Sequence, residues 1–422
     1  MEEQKVINTS VKIPGSKSLS HRAAIAAALA VGKSELRDFL ESEDTLYTTR
    51  ALHQFGVDLS LEGETLKVAG TGGKLEPRTA GKEIYVGNSG TSLRLLLAVA
   101  GLTRGDIVLT GSLRMRERPL GDLADALQKL QVNIEFMERD GYPPVLVRDS
   151  GIRGGRTTVV AAKSSQFISS LLLCGPYAEK DVEIEVIGKP VSLPYIDLTL
   201  DMMKRFGVSV DHDGYRNFRI EAGQKYEGRK LTIEGDVSSA SYFWAAAAVT
   251  GRTVVTENIH PQSTKQGDIR FLDLLEEMGC EVQRGIDRVA VRGAPLIGIE
   301  ADMGNMPDMV PTLAAISLFA EGKTCIRNVA HLRHKESDRL HAIALEWNRL
   351  GGRVEELPDG LVIHGGYPLE PTLVDTHNDH RLAMALAVVG LRVPGIVIKD
   401  HACVNKSFPS FWTMWEHLRE GN

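Results

Sequence analysis

The amino-acid sequence predicts an α/β protein of six repeated units set in two domains, and three observations predict it. One pattern recurs six times at roughly 70 to 76 residues: small polar residues, an apolar helical run, a strand, a charged loop, a second helix, then one or two strands. The second helix of five units runs straight into a strand, at Phe55-Gly56-Val57, Leu130-Gln131-Val132, Phe206-Gly207-Val208, Met278-Gly279-Cys280 and Leu350-Gly351-Gly352. In four of these exits Gly supplies the left-handed stop. Third, a strand-like segment, Lys5 to Ile13, precedes the first unit, while the sixth ends after a helix from Pro409 to Arg419 without closing strands. The N-terminal strand is therefore expected to complete the sixth unit.

The first helices open at Gly15-Ser16-Lys17-Ser18, Asn88-Ser89-Gly90-Thr91, Ser164-Ser165-Gln166, Ser238-Ser239-Ala240-Ser241, Pro307-Asp308-Met309 and Asp379-His380-Arg381. Ser, Thr, Asn and Asp at such places cap the orphan N–H groups of a helix start. A repeat of this length is far above that of common solenoids, so each unit is a small α/β subdomain. The displaced strand makes one domain discontinuous: residues 15–234 form one, and 1–14 plus 235–422 the other. Two crossings, near Gly15 and Gly235, suit a hinge that closes over a ligand.

Composition narrows the function. With 49 Lys+Arg against 55 Asp+Glu the net charge is −6, which argues against nucleic acid as the main partner. At 43 % hydrophobic and 25 % charged the chain is globular, neither disordered nor fibrous. The longest apolar runs, such as Ala23 to Val31, stop near nine residues, too short for a membrane helix, and Met1 to Ser10 lacks the pattern of a signal peptide. A cytoplasmic protein is expected. Cys174, Cys280, Cys325 and Cys403 lie far apart and read as reduced thiols.

Cations stand where local stability disfavours them. Lys17, Arg22, Arg94 and Arg381 fall in or near the first turns of helices, whose N-terminal dipole repels positive charge. An anionic ligand explains them, since helix N-termini with Lys or Arg make phosphate and carboxylate sites. The loops before the second helices repeat the theme. Arg114-Met115-Arg116-Glu117-Arg118-Pro119 packs three Arg into five residues, with Pro119 expected in the first turn of a helix. His334-Lys335-Glu336-Ser337-Asp338-Arg339 sets Lys335 and Arg339 four apart, expected on one helical face, and Lys406 occupies the matching place in the sixth unit. Asp308 and Glu336 stand among these cations. Capping or ion pairing would account for them, and so would general acid–base chemistry.

Several motifs fail. Gly70-Thr71-Gly72-Gly73-Lys74-Leu75 has the wrong spacing for a P-loop, and Gly87-Asn88-Ser89-Gly90-Thr91 lacks the last Gly of a nucleophile elbow. His331-x-x-His334 and His377-x-x-His380 match no metal motif and have basic neighbours, so no metal is expected. Met202-Met203 and Phe411-Trp412 read as core packing.

Taken together, Pro14-Gly15-Ser16-Lys17-Ser18 with Arg22, Gly87-Asn88-Ser89-Gly90-Thr91, the Arg114–Pro119 string, Ser164-Ser165-Gln166, Lys335-Glu336-Ser337-Asp338-Arg339, Asn378-Asp379-His380-Arg381 and Lys406 resemble the 5-enolpyruvylshikimate-3-phosphate synthase family, the 3-phosphoshikimate 1-carboxyvinyltransferases. The match runs over essentially the whole chain. It implies a two-domain inverted, inside-out α/β barrel with three units per domain and helix N-termini facing the interdomain cleft. It also implies transfer of the enolpyruvyl group of phosphoenolpyruvate to the 5-hydroxyl of shikimate 3-phosphate through a tetrahedral intermediate, in the route to chorismate and aromatic amino acids. No cofactor is implied, and a monomer is expected.

By the same resemblance Lys17, Asn88, Gly90, Thr91, Arg118, Gln166, Arg339, Arg381 and Lys406 form the phosphoenolpyruvate site. Lys17, Ser18, Arg22, Ser164, Ser165, Gln166, Ser192, Tyr195, Asp308, His331 and Lys335 hold shikimate 3-phosphate. By that resemblance Asp308 takes the hydroxyl proton, Glu336 protonates the methylene carbon, and Lys17 assists the leaving phosphate or shares in the proton transfers. His331 stands where many members have Asn, and Leu95 where many have Pro, a position that bears on sensitivity to the inhibitor glyphosate. Two rivals differ in sequence. The sister enzyme acting on UDP-N-acetylglucosamine resembles the same fold but has Lys-Asn and a reactive Cys where this chain has Lys17-Ser18 and Arg114. A non-catalytic scaffold would carry its basic residues along exposed faces, not at helix starts beside acids.

Overall fold

A computed structural model of the chain describes residues 8–78 and 83–420; Lys5 to Ile7 of the expected N-terminal strand lie outside them. The first unit runs β1 (Asn8–Lys12), α1 (Lys17–Leu29), β2 (Val31–Arg37), α2 (Glu43–Gln54), β3 (Asp58–Glu62) and β4 (Thr65–Thr71). The second runs β5 (Glu83–Tyr85), α3 (Gly90–Ala100), β6 (Ile107–Thr110), α4 (Gly121–Lys129), β7 (Asn133–Phe136) and β8 (Val145–Arg148). The third runs β9 (Gly155–Val160), α5 (Gln166–Cys174), β10 (Val182–Ile187), α6 (Pro194–Arg205), β11 (Asp211–Asp213) and β12 (Asn217–Ile220). After β13 (Lys230–Thr232) come α7 (Val237–Thr250), β14 (Thr253–Glu257), α8 (Phe271–Glu277), β15 (Glu281–Arg284) and β16 (Arg288–Arg292). The fifth holds β17 (Glu300–Asp302), α9 (Val310–Ser317), β18 (Lys323–Arg327), α10 (Arg339–Arg349), β19 (Arg353–Leu357) and β20 (Gly360–His364). The last holds β21 (Leu373–Val374), α11 (His380–Gly390), β22 (Val397–Ile398) and α12 (Phe411–Glu420).

Two compact units result: a central one, Gly15–Ile233, and a split one made of Met1–Pro14 with Glu234–Asn422. The central unit holds sheets ordered β13-β2-β4-β3, β5-β6-β8-β7 and β9-β10-β12-β11. The split unit holds β1-β14-β16-β15, β17-β18-β20-β19 and, among the described residues, the two-stranded β21-β22. Each four-stranded sheet joins one parallel pair to an antiparallel hairpin.

The N-terminal strand does not complete the sixth unit. β1 lies parallel to β14, from Asn8 opposite Thr253 to Lys12 opposite Glu257, so it completes the fourth. Elsewhere a strand leading into a first helix pairs with the strand leaving that helix, as β5 does with β6. Here the leading strands are exchanged: β1 leads into α1 but pairs with β14, and β13 leads into α7 but pairs with β2. That exchange is why the chain crosses between units twice. Just past each crossing a Gly meets backbone too closely for any side chain, since a Cβ on Gly15 would stand 1.9 Å from the Asp38 carbonyl oxygen and one on Gly235 2.4 Å from that of Asn258.

The first helices form the core of each unit. α1 buries twelve of its thirteen residues and α7 thirteen of fourteen, the polar opening turns included, and beyond those turns both are apolar on every side, as buried helices must be. In the central unit α1, α3 and α5 pack on one another, and in the split unit α7, α9 and α11 do. The second helices are amphipathic: α4 buries only Leu123, Ala124, Ala126 and Leu127. Strands such as β9 and β12 alternate buried and exposed residues, giving sheets with one face on the core and one in solvent. The ends of the buried helices carry the polar residues into that core.

Candidate active site

In the central unit the starts of α1, α3, α5 and α6 are tied together by side-chain hydrogen bonds. The Nδ1 of His21 lies 2.7 Å from Thr48 Oγ1, which lies 2.9 Å from Ser92 Oγ. Lys17, at the first turn of α1, puts its Nζ 3.3 Å from Asp44 Oδ2, in the first turn of α2. Arg22, one turn further, is buried and donates to Thr199 Oγ1 (2.8 Å), the Ser18 carbonyl (2.9 Å), the Tyr195 carbonyl (3.1 Å) and Ser169 Oγ (3.3 Å). All four acceptors are neutral. Burial with no counter-charge pulls Arg22 down to about 10, with Tyr195 opposing weakly.

Gly90 opens α3 and Ser89 caps it, its hydroxyl accepting from the Ser92 N–H. The Arg118 guanidinium lies against Gly90: a Cβ there would stand 2.4 Å from one terminal nitrogen and 2.6 Å from Cζ. Arg118 also donates to the Asn88 carbonyl (3.0 Å) and side-chain oxygen (3.3 Å). Its neighbours turn elsewhere, Arg114 to Glu117 and Arg116 to Glu138. Pro119 lies outside the helix, which starts at Gly121, so the Arg118 backbone stays extended. At the start of α5, Gln166 donates to Thr91 Oγ1 (2.8 Å) and accepts from Arg94 (2.9 Å), joining two helix starts. Ser164 and Ser165 are buried beside it, and Ser164 Oγ accepts from the Gln166 N–H. Ser192 is buried in a left-handed turn just before Tyr195.

In the split unit, cations and acids interleave. Arg339 is buried and donates to Asp308 Oδ1 (2.9 Å), Glu336 Oε2 (2.9 Å) and Asp379 Oδ2 (2.8 Å). Arg381 donates to Asp308 Oδ2 (2.7 Å), and Lys406 Nζ lies 4.0 Å from Glu336 Oε1. Burial alone would lower Arg339, but Asp379, Glu336 and Asp308 outweigh it and hold it above its ordinary value. Asp308 sits in a short turn, Pro307–Met309, ahead of α9. Asp379 caps α11, accepting from the Arg381 N–H, and also receives the Ser337 hydroxyl. Lys335 and Arg339 do not share a helical face: residues 335–337 form a bend, and α10 begins only at Arg339 because Asp338 caps it.

His331 is buried in a short helix, Ala330–His334, and burial, then Lys335, hold it down to about 3, so the ring is neutral. Behind Asp308, burial, then Asp308 itself, push the Asp268 carboxyl up to about 7, against the Ser238 hydroxyl that donates to it. Tyr242, buried on α7 beside Arg381, is pushed up to about 12 by burial. Among the described residues no three His, Cys, Asp or Glu side chains gather as a metal-binding set.

Each sequence-predicted residue thus falls in one of two groups. Lys17, Ser18, Arg22, Asn88, Gly90, Thr91, Arg118, Ser164, Ser165, Gln166, Ser192 and Tyr195 belong to the central unit. Asp308, His331, Lys335, Glu336, Arg339, Arg381 and Lys406 belong to the split one. Sequence reasoning missed Asp44, Asp379 and Asp268. Asp379 carried a signal, an acid capping a helix two residues before a cation; Asp268 carried none.

Comparison with known proteins gives a consistent result. The family model for EPSP synthase (3-phosphoshikimate 1-carboxyvinyltransferase) matches residues 1–415. A 3-phosphoshikimate 1-carboxyvinyltransferase of Methanoculleus marisnigri is 48 % identical over 409 residues, 96 % of each chain. One of Nostoc punctiforme is 44 % identical over 417 residues, 98 % of this chain and 97 % of its own. Among solved structures, the EPSP synthase of Acinetobacter baumannii superposes with a TM-score of 0.80 at 30 % identity, covering 97 % of this chain and 96 % of that one.

Proposed function

Because this chain belongs to the EPSP synthase family, we propose that it is a 3-phosphoshikimate 1-carboxyvinyltransferase whose two groups of cations serve one reaction. It transfers the enolpyruvyl group of phosphoenolpyruvate to the 5-hydroxyl of shikimate 3-phosphate and releases phosphate. Two phosphates and two carboxylates arrive with the substrates, and at about −1.5 to −2 charge per phosphate they require several cations. The architecture we propose is the inside-out barrel of three units per domain, a reading supported by the helices packed at the core of each unit with sheets around them.

The observation that carries the mechanism is Arg339, which grips Asp308 and Glu336 at 2.9 Å each and so fixes two carboxylates relative to one another. Asp308 accepts the proton of the 5-hydroxyl as its oxygen bonds to C2 of phosphoenolpyruvate, and Glu336 gives a proton to C3. The tetrahedral product then loses phosphate from C2, which carries off the proton gained by Asp308, and returns a proton from C3 to Glu336, so that the C2=C3 double bond and the starting protonation of both acids are restored. Lys17 stabilises the departing phosphate. Arg118, Gln166, Arg339, Arg381 and Lys406, with Lys17, Asn88, Gly90 and Thr91, hold phosphoenolpyruvate. Arg22, Ser18, Ser164, Ser165, Ser192, Tyr195, His331 and Lys335 hold shikimate 3-phosphate. The enzyme acts as a cytoplasmic monomer.

The test is phosphate release on mixing purified protein with both substrates. Release that needs both, and that falls by about 10²- to 10⁴-fold in Asp308→Ala and Lys17→Met, is expected. Release with one substrate alone, or undiminished in both variants, would sink this reading.

A further inference from the structure

α10 meets the segment before α11 at two points seven residues apart, which on a helix is one face. At its start Arg339 holds Asp379. Two turns on, Glu346, with a fully buried side chain, accepts from the Asp375 N–H (3.0 Å) and from Arg349 (3.1 Å), while its other oxygen lies 3.0 Å from His377 Nε2. Between these points the backbone does something few side chains favour: His377 and Asn378 are both left-handed, at φ 51° and 53°. Asp375 reinforces the bend, accepting from the His377 N–H (2.7 Å) and pairing with Lys399 (3.0 Å). The turn closes with the Asp379 N–H on the Thr376 carbonyl (2.9 Å), and Asp379 and Arg381 follow at once.

We propose that Glu346 is a positioning residue that, through Asp375 and His377, holds this left-handed turn so that Asp379 and Arg381 reach Arg339 and Asp308. The kinetic side of the proposal rests on the assignment of Arg381 to phosphoenolpyruvate made above. Arg349 is the contact that Glu346 makes within α10. Two of the three contacts of Glu346 instead go to the turn, 29 and 31 residues away.

The test pairs Glu346→Ala with His377→Asn, which drops only the imidazole contact and keeps a residue tolerant of the left-handed region. Two quantities are measured: amide hydrogen exchange of Asp379 and Arg381, and the KM for each substrate. Glu346→Ala is expected to speed exchange at both amides about tenfold and raise the KM for phosphoenolpyruvate about tenfold, with the KM for shikimate 3-phosphate within about twofold. His377→Asn is expected to shift both in the same direction, about threefold, and Glu346→Gln to recover part of the loss. A merely structural role would lower the melting temperature and kcat while leaving both amides and both KM values unchanged, and that outcome overturns the proposal. If Glu346→Ala does not fold, unchanged amides in His377→Asn overturn it equally. If exchange rises as expected but Arg381→Ala leaves the KM for phosphoenolpyruvate unchanged, the clamp stands and the assignment of Arg381 falls.

Discussion

Arg22 and Arg339 are each about 1 % exposed, yet their surroundings are opposite. Arg22 is held by two hydroxyls and two carbonyls, and Arg339 by three carboxylates. Burial lowers Arg22 to about 10; for Arg339 the acids overcome the same burial and raise it. Depth does not decide the fate of a buried cation; its counter-charge does. On the function proposed above, a guanidinium kept dry among neutral oxygens retains its charge for an arriving anion. One enclosed by carboxylates holds those carboxylates in place, as the proposed acid and base require.

The contrast can be broken by truncating each arginine. Arg339→Met leaves Asp308, Glu336 and Asp379 without the cation they share, and a loss of about 3–5 kcal/mol in unfolding free energy is expected. Arg22→Met removes an uncompensated charge and strands only neutral acceptors, so the loss should stay within about 1–3 kcal/mol. Urea unfolding without ligands measures both. Equal losses would show that the neutral oxygens around Arg22 compensate it as fully as three acids do Arg339.

A second contrast lies between two acids of the split unit. Asp308 has two guanidinium groups on its oxygens, whereas Asp268 receives a serine hydroxyl and its second oxygen is buried with no hydrogen-bond partner among the described residues. The Asp268 carboxyl, at 3.8 when unfolded and about 7 when folded, keeps its proton longer in the folded state. The stability it contributes is therefore full below pH 3.8 and is lost as pH rises through about 7. Asp268→Asn, which keeps the shape and cannot ionise, should gain stability relative to the parent between pH 5 and pH 8. A constant difference in urea midpoint across that range would show that Asp268 does not titrate there, and that burial and Asp308 together do not hold its proton.

Much of this was legible in the sequence because the signals are local. The glycines after α2, α6, α8 and α10 stop those helices with positive φ, at Gly56, Gly207, Gly279 and Gly351. The site cations stood out because helix starts disfavour them. What remained hidden was non-local. That β1 joins β14 rather than the last sheet depends on a parallel pairing some 245 residues apart, which no strand pattern specifies. The partners that distinguish Arg22 from Arg339 lie 177 and 40 residues away, at Thr199 and Asp379, so both read alike as cations near a ligand. Lys335 was misplaced because Asp338 caps the helix after it, a stop that a four-residue spacing does not reveal.

The smallest expected effect returns to the central unit and asks how neutral surroundings aim a cation. Gly90 has an ordinary helical backbone, so Ala is favoured there by up to about 1 kcal/mol on helix propensity. The Cβ would nonetheless stand 2.4 Å from the Arg118 guanidinium, the far end of a flexible side chain, which moves aside by loosening its bonds to Asn88, a cost that offsets the gain. Gly90→Ala should therefore leave the melting temperature unchanged or slightly raised while increasing the KM for phosphoenolpyruvate about tenfold, near 1.4 kcal/mol. If the displaced guanidinium is the cause, adding Gly90→Ala to Arg118→Ala should cost nothing further. Additive losses would mean that the methyl group obstructs the ligand itself, and that Gly90 leaves space for substrate and not for the arginine.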